Sequence, residues 1–249
     1  MEKIRHYSRS PIVESRIDIR VKHSPEMEVA SLMEMATAIE AEYEIQEQLF
    51  NLQNSVTVDT TSNTVLSSSA SNNPIGYSFV SNTKQSAIQA RLDGFTFSHF
   101  TPYPGWDRFR ENSLNLWNIY RRITNPMSID NVAIRYVNRI DIPSLRIELK
   151  DYLRTVPEVS PELPEALRSY MMYLQIPIEE INSIAHITQT SVPPPSADLI
   201  SIALDINIIN QGIIAQETED ILATLDLIHI HADRVFEASI TDITRGLIE

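Results

Sequence analysis

Apolar and polar residues alternate from Ile12 to Val21. Val13, Ile17, Ile19 and Val21 fall on one side, and Ile12, Glu14, Arg16, Asp18 and Arg20 on the other, so the apolar set breaks register only at its start. A period of two with one charged side predicts a strand with one wet face. The period then changes. Ser24-Pro25-Glu26 supplies a capping hydroxyl, a proline for the first turn and an acid for the positive end of a helix dipole. Val29, Leu32, Met33, Ala36, Ile39 and Tyr43 continue as a helical stripe.

Beyond it, Asn51 to Pro74 is rich in Ser, Thr and Asn. Val56 to Val58 is a candidate strand, and Ser67 to Asn73 reads by composition as a flexible loop. Ile75–Asn82 and Ala87–Phe97 read as strands joined by a hairpin at Asn82 to Gln85, with Gly94 marking a kink or bulge. Pro104-Gly105 opens a helix whose Trp106, Phe109, Leu116, Trp117, Tyr120 and Ile123 keep the 3.6 period. It stops before Asn125-Pro126.

Asn131 to Ile142 is the next strand. Leu145 to Leu153 is a short helical or extended crossing, and Val156 to Pro164, with three prolines, is a loop. Three apolar strands follow at Arg168–Ile176, Ile181–Val192 and Leu199–Ile209, the last two joined through Pro193-Pro194-Pro195. A long helical region runs from about Thr218 to Ile248 on the stripe Ile221, Leu225, Ile228, Ala232, Val235, Phe236, Ile240, Ile243 and Leu247.

This order implies an α+β fold: a largely antiparallel sheet, helices on one face, and a long C-terminal helix. One compact domain over residues 1–249 is expected. Within it, halves 1–126 and 127–249 show a coarse symmetry, because the first strand of each carries Arg-Ile-Asp-Ile, at Arg16 to Ile19 and Arg139 to Ile142.

Composition adds exclusions. With no cysteine, disulfides, thiolate metal sites and a cysteine nucleophile are ruled out. No apolar h-region follows the N-terminus and no apolar run reaches the ~18 residues needed to cross a bilayer, so a soluble cytoplasmic protein without a membrane partner is expected. The net charge of -13 argues against generic nucleic-acid binding. The charge is uneven. Residues 101–150 hold 8 Lys and Arg against 5 acids, and residues 151–249 hold 4 against 16, an asymmetry that suits a protein partner or self-association.

Several segments carry a resemblance. Asp93-Gly94-Phe95-Thr96-Phe97-Ser98 leads into Pro102-Tyr103, Trp106, Phe109 and Leu116-Trp117-Asn118-Ile119-Tyr120, and Arg135-Tyr136-Val137-Asn138-Arg139-Ile140 follows. With Pro11 to Glu14 at the start, and His229, Phe236 and Ile240-Thr241-Asp242 near the end, the chain resembles a sporadically distributed, uncharacterised bacterial family of about this length. The resemblance spans nearly the whole chain. It brings no established catalytic residues. Its patchy distribution implies a setting among mobile or defence-linked bacterial genes, such as a toxin-antitoxin-like system.

The chemistry-bearing candidates are few. Arg135 and Arg139 share one strand face, and Arg121 and Arg122 close the preceding helix, so the four are candidates to clamp a carboxylate or phosphate. The structural alternative is that Arg139 pairs with Asp141 or Glu14. Tyr136 and Asn138 project from the opposite face, toward a loop or a pocket. Asp226, His229 and Asp233 lie on one helical face and form a weak candidate metal set, whereas His229 and His231 point apart. Tyr103, Trp106, Trp117 and Tyr120 suit core packing better than a stacking platform. No nucleophile elbow and no glycine-rich phosphate loop occurs, and no catalytic residue or cofactor is implied.

Three readings therefore stand open: a non-catalytic protein-interaction module, a small-ligand binder with a cavity between a curved sheet and the C-terminal helix, and an enzyme with a dispersed, phosphate-directed site.

Overall fold

The alternation that starts at Ile12 becomes β1 (Ile12–Lys22), with Ser15, Ile17, Ile19 and Val21 buried and Arg16, Asp18 and Arg20 turned the other way. The computed structural model describes residues 5, 7–59, 64–163, 167–212 and 218–249. After β1 come α1 (Glu34–Ile39), β2 (Tyr43–Asp59), β3 (Thr64–Ser81), β4 (Ser86–Arg91), β5 (Gly94–Phe100) and α2 (Trp106–Thr124). The chain continues through β6 (Ser128–Ile142), α3 (Leu149–Tyr152), β7 (Met171–Ile178), β8 (Ser183–Val192), β9 (Ile200–Asn210), α4 (Thr218–Ser239) and α5 (Asp242–Ile248). The strands form a single nine-stranded antiparallel sheet in the order β2-β3-β4-β5-β1-β6-β9-β8-β7. The fold is α+β, and among the described residues no helix is long and apolar enough to cross a membrane.

The two central strands, β1 and β6, pair with each other. From each, the chain crosses to a sheet edge, meanders back and lies down beside the strand it left: β5 against β1, and β9 against β6. A helix follows each return, α2 after β5 and α4 after β9. The shared tetrapeptide keeps equivalent cross-strand neighbours. Asp18 is opposite Thr96, whose hydroxyl donates to it at 2.5 Å, and Asp141 is opposite Ser201, whose hydroxyl does the same.

All the major helices lie on one face. Phe95 and Phe97 of β5 meet Trp117, Tyr120 and Phe109 of α2, with Phe97 stacked on Phe109 at 5.6 Å between centroids. Ile221, Leu225, Ile228 and Ala232 of α4 are buried in the same core as Ile134, Leu204 and Ile206 of the sheet. Each large side chain fully withdrawn from water contributes about 1.5–3 kcal/mol, so this layer drives the fold. On the opposite face the strands keep their charges in ion pairs: Arg16 to Glu14 at 2.6 Å and Arg20 to Asp18 at 2.8 Å within β1, and Arg91 of β4 to Asp18 of β1 at 3.2 Å.

Four expectations need correction. The helix after Ser24 is brief, a 3-10 turn at Val29–Met33 running into α1, and Tyr43 already belongs to β2. Ser67 to Asn73 is part of strand β3, laddered against β2 from Thr57 to Asn51; its polar composition concealed a strand held by backbone pairing. Ala87 to Phe97 divides into β4 and β5 around a turn at Leu92-Asp93. Gly94 opens β5 there at φ +155, and a Cβ would collide with the carbonyl oxygen of Ile19. The C-terminal helical region breaks at Ile240-Thr241. Ile240 bridges to Leu153, and Thr241 caps α5 by accepting from the Thr244 amide. That break leaves Ile243 53% exposed.

Asp18 has the most partners of these acids: Arg20, Arg91 and the Thr96 hydroxyl. Arg91 is only 6% exposed. Replacing Asp18 by Ala leaves that guanidinium short of a counter-charge and is expected to cost about 2–4 kcal/mol. Glu14→Ala breaks a half-exposed pair and is expected to cost less than about 1 kcal/mol. Urea midpoints of the two variants measure the difference, and equal midpoints would contradict it.

Candidate functional site

The structure divides the candidate residues between the two faces of the sheet. Arg135 and Arg139 lie on the outer face. Arg135 makes a two-point pair with Asp205 of β9, at 2.8 and 2.6 Å, and Arg139 pairs with Asp141 at 2.9 Å. Arg135 thereby ties β6 to its neighbour, and Arg139 takes one of the two acids expected from the sequence. A shallow groove of about 310 Å³ runs along this face, lined by Arg16, Asp18, Arg20, Asn131, Arg135 and Asn207 among others. Arg121 and Arg122 end α2 on the helical side, so the four arginines form no common clamp.

Tyr136 and Asn138 do project to the helical side, 6% and 3% exposed. There they line a second pocket of about 250 Å³. Five chain segments build it: Arg5, Tyr7 and Ser10 to Ile12 near the start of the chain, the loop Tyr103-Pro104-Gly105 with Trp106, β6 through Tyr136 and Asn138, β9 through Ile206, and α4 through His229, Ala232, Asp233 and Phe236. Gly105 precedes α2 at φ +90, a left-handed conformation that brings the loop round so that Tyr103 and Trp106 both reach the pocket. The floor coincides with an irregularity in the central pairing. Ile12 is opposite Asn138 while Glu14 is opposite Val137, so β1 holds one extra residue there. Such bulges re-aim neighbouring side chains.

The polar groups of the pocket form a chain. Tyr103 and Tyr136 share a hydrogen bond between hydroxyls at 3.3 Å, and the Tyr136 hydroxyl meets His229 Nδ1 at 3.0 Å. The His229 ring stacks on Trp106, 4.2 Å between centroids and 13° from parallel. Trp106 Nε1 donates to Asp226 at 2.9 Å, and Arg110 holds the same carboxylate at 2.7 Å. Asp226 is therefore engaged in orienting Trp106. The metal set Asp226, His229 and Asp233 is not assembled, and among the described residues no group of three or more His, Asp or Glu side chains is placed to hold a metal ion.

Asn138 is fixed by its surroundings. Its Nδ2 donates to the Leu204 carbonyl at 3.1 Å and to the Tyr136 carbonyl at 3.5 Å. Reversing the amide would set oxygen against both carbonyls, so the orientation is determined. Burial pushes the Tyr103 phenol up to about 12, and the nearby charges of Asp107 and Asp233 add to the rise. Burial drives Tyr136 well above the ordinary phenol range, with Tyr103 and then Asp233 contributing.

Tyr136, Asn138, His229 and Asp233 were singled out from sequence, and the structure brings them into one pocket. Tyr103 and Trp106 belong to it as well, although spacing assigned them to the core; Trp117 and Tyr120 are the two that are buried there. Tyr7, Ile12, Ile206 and Phe236 had no functional signal, because nothing local marks an apolar residue that lines a pocket rather than a core. No protein-family model matches the chain, and no curated protein matches it either.

The raised phenols make the site sensitive to alkali. Tyr103 holds its proton up to about 12 in the folded chain, against 10.0 for an ordinary phenol, so its contribution is present below pH 10 and is lost between about pH 10 and 12. Tyr103→Phe should flatten the fall in urea midpoint between pH 9.5 and pH 11.5. A slope identical to that of the parent would show that Tyr103 ionises normally.

Proposed function

We propose that this chain binds a small molecule in the pocket between the sheet, α4 and the N-terminal segment. One observation carries the reading: Tyr136, Asn138 and His229 converge on a space of about 250 Å³ that aromatic and aliphatic side chains also line. Buried polar groups are costly unless satisfied, and a core built only for stability has no need of three around a void. Binding pockets combine apolar walls with a few placed polar groups in this way. Arg135 and Arg139, the candidate clamp for a carboxylate or phosphate, lie on the outer face and take no part in it.

The phosphate-directed enzyme has less support, since the arginines it relied on are engaged by Asp205 and Asp141. A protein partner is the second reading, and a different feature favours it. Strand β7 is a sheet edge carrying Met171, Tyr173 and Ile176 at 76%, 54% and 45% exposure. Open edges of this kind recruit further strands. The defence-linked bacterial setting rests on the resemblance alone.

Filling the pocket tests the first reading. Ala232 lines it and is 1% exposed, so Ala232→Leu should occupy part of the space while leaving the sheet intact. Native mass spectrometry of the protein from its own host is expected to show a bound small molecule in the parent and none in the variant. The same adduct in both, or none in either, would count against the pocket as the site.

A further inference from the structure

We propose that two copies of this chain join through β7, antiparallel and centred on Tyr173, so that the sheet continues from one molecule into the next; this rests on the reading of β7 as an edge that takes a protein partner. The backbone sets which groups are free. The Ser191 amide donates to the Tyr170 carbonyl at 3.1 Å, and Tyr170 directly precedes β7. In an antiparallel ladder, residues bonded to one neighbour alternate with residues turned away from it. Met172, Leu174 and Ile176 therefore share the orientation of Tyr170, toward β8, and Met171, Tyr173 and Gln175 hold their N–H and C=O groups toward the open edge. Pro177 falls in the outward set, where a residue without an N–H breaks no bond to β8.

Charge then selects the occupant. None of the 8 residues of β7 is charged. The opposite edge, β2, presents Glu44 and Glu47 to solvent, a common protection against pairing between copies. Two chains of net charge -13 repel each other, so they meet most easily along a strand where neither presents an acid. The flanks of β7 are unlike in sign: exposed Arg168 precedes it, and exposed Glu179 and Glu180 follow it. Glu180 already faces Arg234 at 3.9 Å, which leaves Glu179 as the acid for Arg168. An antiparallel copy brings Arg168 of each chain beside Glu179 of the other, whereas a parallel copy would set base against base and acid against acid. The partner that these flanks fit is the same strand reversed.

The register follows from the outward groups. Tyr173 is the middle of the three residues, and centring the pair on it satisfies all of them. Tyr173 meets Tyr173 of the other copy, and Met171 meets Gln175, each pair exchanging both hydrogen bonds. On the outer face the two Tyr173 rings, 54% exposed in a single chain, come side by side. On the helical face Leu174 falls opposite Met172 of the other copy and extends the apolar layer against which Leu174 already packs. Arg168 falls opposite Ile178, next to Glu179. One strand pair is a small interface, so a dissociation constant on the order of 1–100 µM is expected.

The chain has no cysteine, so an introduced one reports contacts between copies directly. Tyr173→Cys is expected to give a disulfide-linked dimer under mild oxidation, because the centre of the pair sets its two Cα atoms about 5.5 Å apart. Met171→Cys sets its two copies roughly 13 Å apart along the strands and is expected to remain unlinked. Glu47→Cys, on the β2 edge, is expected to remain unlinked as well. Sedimentation of the parent up to about 200 µM should show a monomer–dimer equilibrium. Tyr173→Lys, which sets two ammonium groups side by side, should raise the dissociation constant at least about tenfold with an unchanged urea midpoint. A parent that stays monomeric over this range, or equal linking through positions 171 and 173, overturns the pairing. Should a monomeric parent capture a different protein from host lysate that Tyr173→Lys does not, the partner reading stands and the second copy is overturned. A monomeric parent with no such capture overturns both.

Discussion

The structure depends on the antiparallel pairing of β1 with β6. It is the seam at which two meanders become one sheet, and it sets the register for everything on either face. Ile17 lies opposite Ile134 and both point into the core, so a slip of one residue would turn that row outward and present charge to the helices. The same register sets Arg16 directly opposite Arg135, a like-charge contact that on its own is unfavourable. Each guanidinium has its own acid, Glu14 within β1 for Arg16 and Asp205 for Arg135, so the repulsion is offset, and the second pair also ties β6 to β9.

The two faces then take different roles. The inner face is hydrocarbon and aromatic, covered by α2 and α4. The outer face has no helix on it among the described residues and is held by ion pairs around Asp18, Arg91, Arg135 and Asp141. Such pairs contribute little individually when half-exposed, but Arg91 is nearly buried and its partners are correspondingly important. The four candidate arginines do not gather into one basic patch. Arg135 and Arg139 lie among acids from β6 and β9, while Arg121 and Arg122 are on the far side of the sheet.

The pocket arises where the two halves fail to match perfectly. The extra residue of β1 near Ile12 sits at the end of the central pairing, and there the floor residue Asn138 meets the loop bearing Tyr103 and the helix bearing His229. A relay of Tyr103, Tyr136 and His229, with His229 stacked on Trp106, gives this space definite hydrogen-bonding groups.

Local periodicity decided much of this protein. Alternation identified β1, apolar runs identified β8 and β9, the 3.6 period identified α2 and α4, and the direction of side chains along a strand separated Arg135 and Arg139 from Tyr136 and Asn138. These follow from backbone geometry, which acts over a few residues and is therefore written locally. The polar β2–β3 ribbon was missed because backbone pairing leaves no mark in composition, and the α4–α5 break because it depends on Leu153 contacting Ile240 from a distant segment. Which acid each arginine takes, and that Tyr7, Tyr103, Asn138 and His229 border one space, were decided only by the tertiary structure. Those residues are separated by tens to hundreds of positions along the chain, and only the sheet order and the central register bring them together.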